Sequence, residues 1–438
     1  MKKRIVSLIS LGCEKNLVDS ESILGLFNND NYLISSDYID ADLVIINTCG
    51  FIASAKEEAI NTIYEVLDNK KEDTKVIVCG CLVERYYEDL KNGIPEVDLF
   101  IPLREYFHFG EYVGALFNDS NLTNLCPTSL KRVISTPKHL AYVRISDGCN
   151  NRCAYCAIPL IRGNFRSRNK EEILEEIKYL AKTKRKEICL ISQDLTKYGI
   201  DINESLESLI KEIIGLKLDI KVRLLYLYPD EISDELISLI RDNEMILPYF
   251  DIPIQHASNK LLKWMNRRGD QELIRTLINK IRQEIPDAII RTTIIVGFPH
   301  ESEKDHQELM DFIKEMKFDH LGAFTYSKEE DTKSFNMSGQ VSKKVKEERY
   351  NELMETQKWI SLKNNERYIG HIYKTIIEEY DEKEDCYYGR NYMFAPDDID
   401  GMIIIKSSKK LEISEFYDVK IVDNDFYDLY GEVVDERL

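Results

Sequence analysis

The 438-residue sequence predicts an α/β fold in three parts: an amino-terminal parallel α/β domain, a partial (β/α)6 barrel and a small carboxyl-terminal all-β barrel. Three observations support this prediction. In the first third of the chain, runs rich in valine and isoleucine alternate with helical patterns, which is typical of a parallel sheet covered on both faces. Six further strand–helix units follow, as in an open relative of the eightfold barrel. From about His371 the pattern changes to short alternating runs separated by turn residues, which indicates a small β barrel.

We assign the amino-terminal domain to residues 1–117. The polar segment 118–137 has two prolines and no clear period, so it is predicted to be a linker in which Cys126 is a loop thiol. The predicted strands of the amino-terminal domain are Arg4–Leu11, Asp42–Asn47 and Lys75–Cys79, and its helices are Asp19–Asn28, Ser54–Leu67 and Leu82–Leu90.

We assign the partial barrel to residues 138–367, which end in a long polar helix, and the all-β barrel to residues 368–438. The predicted barrel strands are His139–Ile145, Glu187–Ser192, Lys221–Tyr226, Tyr249–Ile254, Ala288–Val296 and His320–Thr325. The helical patterns between them include Lys170–Ala181, Leu206–Ile214, Asp234–Arg241, Gln271–Glu284 and Glu303–Glu315. The strands predicted in the carboxyl-terminal barrel are Ile372–Ile377, Met402–Ile405, Tyr417–Val422 and Asp428–Val433.

Three cysteines, Cys13, Cys49 and Cys81, follow the three predicted amino-terminal strands. Because ligands bind at the carboxyl ends of parallel strands, these thiols are expected to converge on one edge of the sheet. They then form either the three protein ligands of an iron–sulfur cluster or three half-buried thiols that only pack, and the residues alone leave both interpretations open. Cys79 is the alternative to Cys81 as the third cysteine of this set. We prefer Cys81 because it lies past the strand end, next to Gly80.

Three more cysteines, Cys149, Cys153 and Cys156, lie in one loop after the first barrel strand. Cysteine thiolates are the usual ligands of 4Fe–4S clusters, so three of them leave one iron open to a small molecule. The C-x3-C-x2-C spacing, with Tyr155 before the last cysteine, resembles the radical S-adenosylmethionine (SAM) superfamily. A zinc knuckle or a set of buried thiols is the alternative, but zinc sites prefer four ligands in C-x2-C pairs and no partner pair follows.

The composition narrows the class of protein further. No apolar run approaches the ~20 residues that cross a bilayer, and no signal peptide is evident at the amino terminus. Ten cysteines in a chain expected to be cytoplasmic favour metal or redox chemistry over disulfides. The formal net charge of −18 argues against strong nucleic-acid binding and favours a basic partner. Residues 371–438 alone contain 18 acidic and 8 basic residues.

Together these features resemble the methylthiotransferases, a radical SAM family whose members have an amino-terminal cluster domain, a radical SAM core and a TRAM barrel. The resemblance covers essentially the whole chain. It is greatest to the branch that methylthiolates an aspartate in the twelfth protein of the small ribosomal subunit. The tRNA-modifying branches typically read G-C-Q-M-N at the first cysteine and V-V-P-Y-T-R-G after the core loop. The stretches that carry the resemblance are S-L-G-C-E-K-N-L-V-D-S-E at Ser10–Glu21, Y-C-A-I-P-L-I-R-G at Tyr155–Gly163, D-I-P-I-Q-H at Asp251–His256 and A-F-T-Y-S-K-E-E at Ala323–Glu330.

The resemblance implies two 4Fe–4S clusters, an auxiliary one on Cys13, Cys49 and Cys81 and a SAM-binding one on Cys149, Cys153 and Cys156. It also implies that SAM serves as radical source and methyl donor, and that sulfur and low-potential electron donors take part. Cys79, Cys189 and Cys386 match no family ligand and are predicted to be packing residues. The polar residues predicted to contact SAM, besides Tyr155, are Gln193, Asp194 and Arg223.

Some assignments stay open. Strand-end hydrogen bonding is an equal alternative for Gln193, Asp194 and Arg223, and His256 is better explained as a structural residue. Arg162, Arg166 and Arg168 are either partners of a substrate carboxylate or solvated loop charges. His300 and Asp331 stand where the family usually has glycine, which leaves the conformation of two rim loops open.

The acidic carboxyl-terminal barrel favours a basic ribosomal protein as substrate over the phosphates of RNA. The main alternative is a tRNA adenosine methylthiotransferase. An alternative of another class is a non-catalytic, cluster-bearing scaffold or redox sensor on the ribosome, which would not cleave SAM.

Overall fold

The computed structural model describes residues 3–28, 30–119, 122, 124–125 and 132–434 of the chain. The predicted fold class is confirmed, because two parallel α/β regions are followed by a closed five-stranded barrel. Most of the predicted linker, including Cys126, lies outside the described residues. In the part of the chain that is described, no helix combines the length and the apolar content needed to span a bilayer.

The amino-terminal region is a five-stranded parallel sheet in the order β2-β1-β3-β4-β5, with helices packed against it. The sequence predicts its three central strands but not the two edge strands, which are only three and four residues long. The elements are β1 (Arg4–Ser10), α1 (Glu14–Gly25), β2 (Tyr32–Ile34), β3 (Leu43–Thr48), α2 (Ala53–Asn69), β4 (Lys75–Gly80), α3 (Cys81–Gly93), β5 (Leu99–Pro102) and α4 (Phe109–Phe117).

The first helix, α1, begins at Glu14, five residues before its predicted start. Its first two turns bury polar side chains, among them Asn16, Asp19 and Ser20, against the rest of the molecule. A helix that buries polar residues lacks the apolar stripe from which helices are predicted. The early start of α1 therefore cannot be predicted from hydrophobic periodicity.

The middle of the chain contains the six predicted parallel strands, each within a few residues of its predicted bounds, in two sheets of order β10-β9-β6 and β11-β12-β13. Hydrogen bonds from Val222 N to Met245 O (2.7 Å) and from Leu247 N to Val222 O (2.9 Å) join the two sheets. The elements are β6 (Leu140–Arg144), β7 (Ser146–Asp147), α5 (Ile158–Ile161), β8 (Arg166–Ser167), α6 (Lys170–Lys182), β9 (Glu187–Ile191), α7 (Leu206–Gly215), β10 (Lys221–Leu224), α8 (Asp234–Asp242), β11 (Tyr249–Asp251), α9 (Asn259–Trp264), α10 (Gln271–Glu284), β12 (Ile289–Val296), α11 (Glu303–Met316), β13 (His320–Thr325) and α12 (Lys343–Asn365).

The carboxyl-terminal region is a closed barrel in the order β14-β15-β16-β18-β17. Four of its strands are predicted from the sequence. The fifth, β15, was missed because its residues, C-Y-Y-G-R, are buried with little alternation. The strands are β14 (Ile372–Asp381), β15 (Cys386–Arg390), β16 (Ile403–Lys406), β17 (Phe416–Asn424) and β18 (Leu429–Val433).

The segment 390–400 of this barrel packs against side chains of the β6–β13 strands, so the two regions share one apolar cluster. His320 Nε2 lies 2.7 Å from Met393 O, and Arg291 donates to Asp400 Oδ1 at 3.0 Å. The cluster also contains Val18 of α1. The carboxyl-terminal barrel is therefore packed against the core by both apolar and polar contacts.

A buried ion network crosses the same interface. Glu187 of β9 accepts hydrogen bonds from Arg223 Nε and from Arg390 NH1, both at 2.7 Å. All three side chains are almost completely buried, and Arg390 also binds Glu378 at 3.0 Å. The two arginines hold the pKa of Glu187 down at about 2, although burial opposes them.

Candidate active site

The six cysteines singled out in the sequence line one cavity of about 440 Å³. The cavity lies at the carboxyl ends of strands from both parallel regions, where ligands of open α/β sheets bind. One set of three follows the strands of the amino-terminal sheet, and the other set lies in the loop after β6. The first set is Cys13, Cys49 and Cys81, and the second is Cys149, Cys153 and Cys156.

Tight backbone packing brings the first set together, because β1, β3 and β4 are neighbours in the sheet. A Cβ built on Gly12 would lie 2.8 Å from the Cβ of Cys49 and 3.0 Å from its Sγ. Gly80, directly before Cys81, has a φ of 98°, and a Cβ there would lie 2.5 Å from Thr48 O. Side chains at either position would push the cysteine-bearing segments apart.

Gly12→Ala is therefore expected to displace Cys49. If the chain binds the two 4Fe–4S clusters that the sequence resemblance implies, the iron bound after reconstitution should fall from about eight to about four atoms per chain. The φ of 91° at Gly12 adds backbone strain to the steric clash. Iron and acid-labile sulfide analysis measures the effect. Gly93→Ala is the matched control, because nothing lies within 4 Å of a Cβ at that position. An unchanged iron content in Gly12→Ala would contradict the expectation.

Cys79 and Cys81 occupy different environments. Cys79 lies inside β4, is fully buried, and has its pKa raised to about 12 by that burial. It does not line the cavity, whereas Cys81 does, with its Sγ 3.3 Å from Asn16 Oδ1. Cys189 and Cys386 are likewise buried away from the cavity. The preference for Cys81 as a ligand stays a prediction that agrees with these positions.

The loop with the second set is fastened at several points. Its ends are held by the short antiparallel pair β7–β8 and by a hydrogen bond from Cys149 N to Gly163 O at 3.2 Å. Within the loop, Ala154 N donates to Met265 O at 2.8 Å. Tyr155 lines the cavity and packs on the apolar cluster that contains Ala154 and Met265. The loop is therefore positioned by the helix α9 and its neighbours as well as by β6.

Of the polar residues predicted to contact SAM, Gln193 lies in the cavity wall. Its amide nitrogen donates to Asp147 Oδ1 at 3.1 Å, while its carbonyl oxygen is buried without a hydrogen-bond partner. Asp194 does not line the cavity. It accepts a hydrogen bond of 2.6 Å from Asn151, which does, so Asp194 positions the cysteine loop.

Arg223 lies in a different environment from Gln193. Its guanidinium is completely buried in the ion network with Glu187 and donates to the carbonyl oxygens of Tyr392 (3.0 Å) and Asn391 (3.2 Å). It does not line the cavity. The SAM contact at Arg223 stays a prediction, which its position does not support because this side chain faces the carboxyl-terminal barrel.

Among the three loop arginines, Arg162 lines the cavity. It donates to Asn16 Oδ1 at 2.7 Å and to Asp19 Oδ2 at 2.8 Å, and its other nitrogen lies 3.3 Å from Asp147 Oδ2. Arg166 is exposed, and Arg168 binds Glu176 at 2.8 Å. Arg162 thus links the amino-terminal sheet to the core directly behind the cysteines.

Several cavity residues were not identified from the sequence: Lys15, Tyr226, Arg267 and Arg291. Arg267 NH1 lies 3.9 Å from Cys153 Sγ, and its guanidinium stands 3.9 Å from the ring centroid of Tyr228. Burial lowers the pKa of Lys15 from its ordinary value of 10.5, against the opposing effect of Glu14. In the sequence, only their positions could have indicated two of these residues. Tyr226 is the last residue of a predicted strand, and Lys15 is two residues from a predicted cluster ligand.

His256, predicted to be structural, is fully buried, and its Nδ1 accepts hydrogen bonds from the backbone N–H groups of Ala257 (3.0 Å) and Ser258 (2.9 Å). Burial lowers its pKa to about 3. It does not line the cavity.

The structure also explains the two departures from the family pattern. His300 and Asp331 have φ values of 68° and 62°, a region that favours glycine and that His and Asp tolerate better than most residues. His300 N donates to Gly339 O, and the imidazole stacks on Trp264 at 4.6 Å. Both rim loops therefore adopt a glycine-type turn without glycine.

Two acidic residues after β13 connect the core to the amino-terminal sheet. Glu329 is 2% exposed and binds Lys56 of α2 at 2.9 Å and Arg85 of α3 at 3.2 Å. Glu330 binds Lys56 as well, at 3.0 Å. These ion pairs hold the two cysteine-bearing walls of the cavity in one orientation.

The donor set fits iron–sulfur clusters. Each wall presents three thiols and no imidazole, and thiolates are the usual ligands of iron in such clusters. Among the described residues, no three Cys, His, Asp or Glu side chains are close enough to share a single metal ion. In a 4Fe–4S cluster the cysteine thiolates bind different irons, so the cysteines stand further apart than the ligands of a single metal ion.

Three family models match the chain in succession. Residues 5–102 match the "Uncharacterized protein family UPF0004", residues 143–313 match the radical SAM superfamily, and residues 369–434 match the TRAM domain. The curated proteins to which the chain is similar include three named "Ribosomal protein uS12 methylthiotransferase RimO". Those of Acetivibrio thermocellus and Clostridium novyi are 44% and 45% identical, each covering 100% of this chain and 99% of the relative. That of Clostridium kluyveri is 46% identical with the same coverage.

Solved structures with low sequence identity share the fold. The radical SAM methyltransferase TsrM from Kitasatospora setae, with cobalamin and a [4Fe-4S] cluster bound, superposes with a TM-score of 0.56 at 13% identity. The match covers 74% of this chain and 75% of that protein. The cobalamin-dependent SAM radical enzyme OxsB superposes with a TM-score of 0.51 at 14% identity, covering 82% of this chain and 56% of that protein. At these identities the comparison establishes the fold alone.

Proposed function

Because this chain belongs to the RimO family of radical SAM methylthiotransferases, as its full-length relatives establish, we propose that it inserts sulfur and a methyl group at the β-carbon of an aspartate in ribosomal protein uS12. The resemblance predicted from the sequence motifs is thereby confirmed. The single observation that supports the proposal is the lining of one cavity by two sets of three cysteines.

Membership of the radical SAM superfamily implies one 4Fe–4S cluster and SAM. We propose Cys149, Cys153 and Cys156 as the ligands of that cluster, and Cys13, Cys49 and Cys81 as the ligands of a second. When bound, these groups supply the radical that removes hydrogen from an unactivated carbon, together with the sulfur and the methyl group that replace it.

The residues of the chain orient and shield this chemistry. Arg267 places a cation beside Cys153, where it offsets the negative charge of a ligated thiolate. Gln193 lines the cavity and its side-chain carbonyl oxygen is buried without a partner, so a small rotation of the amide would let it accept a hydrogen bond from a donor such as the ammonium group of SAM. Tyr155, Tyr226 and Tyr228 contribute three aromatic side chains to the wall, which limit the access of water to a reactive radical.

Charge supports the choice of substrate. The chain has a formal net charge of −18, and the carboxyl-terminal barrel is acidic. Acidic surfaces repel phosphates and attract basic proteins, so a basic ribosomal protein is a better electrostatic partner than tRNA. The sulfur donor and the low-potential electron donor are further partners that the proposal requires.

The test is an anaerobic assay. The protein is reconstituted with iron and sulfide and given SAM and a low-potential reductant, with ribosomal protein uS12 and tRNA offered in separate reactions. Mass spectrometry is expected to find one added methylthio group on an aspartate of uS12 and none on tRNA. A methylthio group on an adenosine would support the proposed reaction but contradict the proposed substrate. Deoxyadenosine release with neither product would overturn both assigned substrates.

A further inference from the structure

We infer that the Lys15 ammonium is the group that binds the carboxylate of the substrate side chain and so makes the enzyme selective for aspartate. This inference deepens the proposed function and rests on it. It follows from the pairing of the charged groups in the cavity wall.

Four cationic side chains among the described residues line the cavity, and three of them already have close partners. Arg162 is paired with Asp19 at 2.8 Å. Arg291 is paired with Asp251 and Asp400, both at 3.0 Å. Arg267 donates to Pro253 O and stands over the ring of Tyr228.

Lys15 is the exception. The nearest carboxylate oxygen in the described part of the chain, Oε2 of Glu14, is 3.8 Å from Nζ, which is beyond hydrogen-bond distance. That oxygen accepts a hydrogen bond of 2.8 Å from the hydroxyl of Tyr226 instead. The ammonium stands over the Tyr226 ring, 3.0 Å from its centroid, and no described oxygen accepts a hydrogen bond from it. Its N–H donors are therefore free to bind a carboxylate that enters the cavity.

The position of Lys15 suits this role. It lies in the first turn of α1, two residues after Cys13, and its side chain is only 8% exposed. Charge-assisted hydrogen bonds of this kind are the strong ones in a site that excludes water. The β-carbon of an aspartate is bonded directly to its carboxylate carbon. Binding the carboxylate therefore restrains the position of the carbon that reacts.

The same geometry predicts selectivity. An asparagine carries no charge for Lys15 to pair with. A glutamate bound through its carboxylate would present its γ-carbon in place of the β-carbon. Both residues should therefore be poor substrates at the modified position.

The experiment compares uS12 with a variant in which the modified aspartate is asparagine, under the reconstitution conditions described above. Wild-type enzyme is expected to form about 10- to 100-fold more methylthio product on the aspartate protein than on the asparagine protein. This is the range that one hydrogen bond to a charged group supplies. Lys15→Met should lose that factor on the aspartate protein and bring the two substrates close to equal, while deoxyadenosine release and iron content stay at wild-type levels. Lys15→Gln is a second neutral variant, and Lys15→Arg should restore part of the preference.

Lys182→Met, on the exposed face of α6, is the matched control and should behave as wild type. Retention of the wild-type aspartate preference in both Lys15→Met and Lys15→Gln would overturn the inference while leaving the proposed function intact. An equal loss of product on both substrates would also overturn it, because that pattern indicates a structural role. If wild-type enzyme forms no product on uS12, the proposed function fails, and the inference fails with it.

Discussion

Replacing Cys13 and Cys81 together by alanine is expected to abolish methylthio transfer while SAM is still cleaved to deoxyadenosine. The two cysteines follow different strands of the amino-terminal sheet, whereas Cys149, Cys153 and Cys156 lie in a separately fastened loop. Removing the first set should therefore leave the second able to bind its cluster. Iron should fall from about eight to about four atoms per chain, and methylthiolated uS12 should fall below detection.

Cys79→Ala is the matched control for this experiment. The residue lies two positions from Cys81 but inside β4 and outside the cavity. Its iron content and its product should therefore match those of the wild type. Full methylthio transfer by the double variant would contradict the assignment of the auxiliary ligands. A loss of deoxyadenosine release in that variant would contradict the independence of the two cysteine sets.

Glu187→Gln is expected to cause the largest loss of stability, a fall of about 3–5 kcal/mol in the free energy of unfolding, because removing one partner of a buried ion pair leaves the other charge uncompensated. Here two arginines, Arg223 and Arg390, would lose their shared carboxylate at the interface with the carboxyl-terminal barrel. Urea denaturation at neutral pH, followed by circular dichroism, measures the change.

The pH dependence of stability should reflect the ionisation of Glu187. The pKa of Glu187 is lowered from an ordinary value of 4.5 to about 2 in the folded protein. Its contribution to stability is therefore complete above about pH 4.5 and is lost as the pH falls toward 2. A shift of this size corresponds to about 3 kcal/mol. The wild type should lose stability more steeply than Glu187→Gln across this range.

Glu415→Gln is the control for Glu187→Gln at the same interface. Glu415 pairs with Lys186 but is 57% exposed, and surface ion pairs contribute about 0–1 kcal/mol. The control should therefore stay close to the wild type. An equally small effect of Glu187→Gln would show that the buried network is dispensable for stability.

The sequence by itself determined the fold class, the six barrel strands and both sets of cysteines. These features depend on local information. Strands buried on both faces read as apolar runs, and the carboxyl ends of parallel strands meet at one edge whatever the details of packing. Cys13, Cys49 and Cys81 therefore reached one cavity wall as expected.

Only the tertiary structure shows the positions and partners of Arg223, Lys15 and Arg267. Arg223 lies in one of the predicted barrel strands, but Asn391, whose backbone oxygen it binds, is 168 residues further along the chain. The early start of α1 was hidden in the same way, because its buried polar side chains are satisfied by distant residues such as Arg162 and Arg132. Hydrophobic periodicity in the sequence indicates which face of a helix or strand is buried. It does not record which distant charge meets a polar side chain there, because that pairing exists only after the domains have packed together.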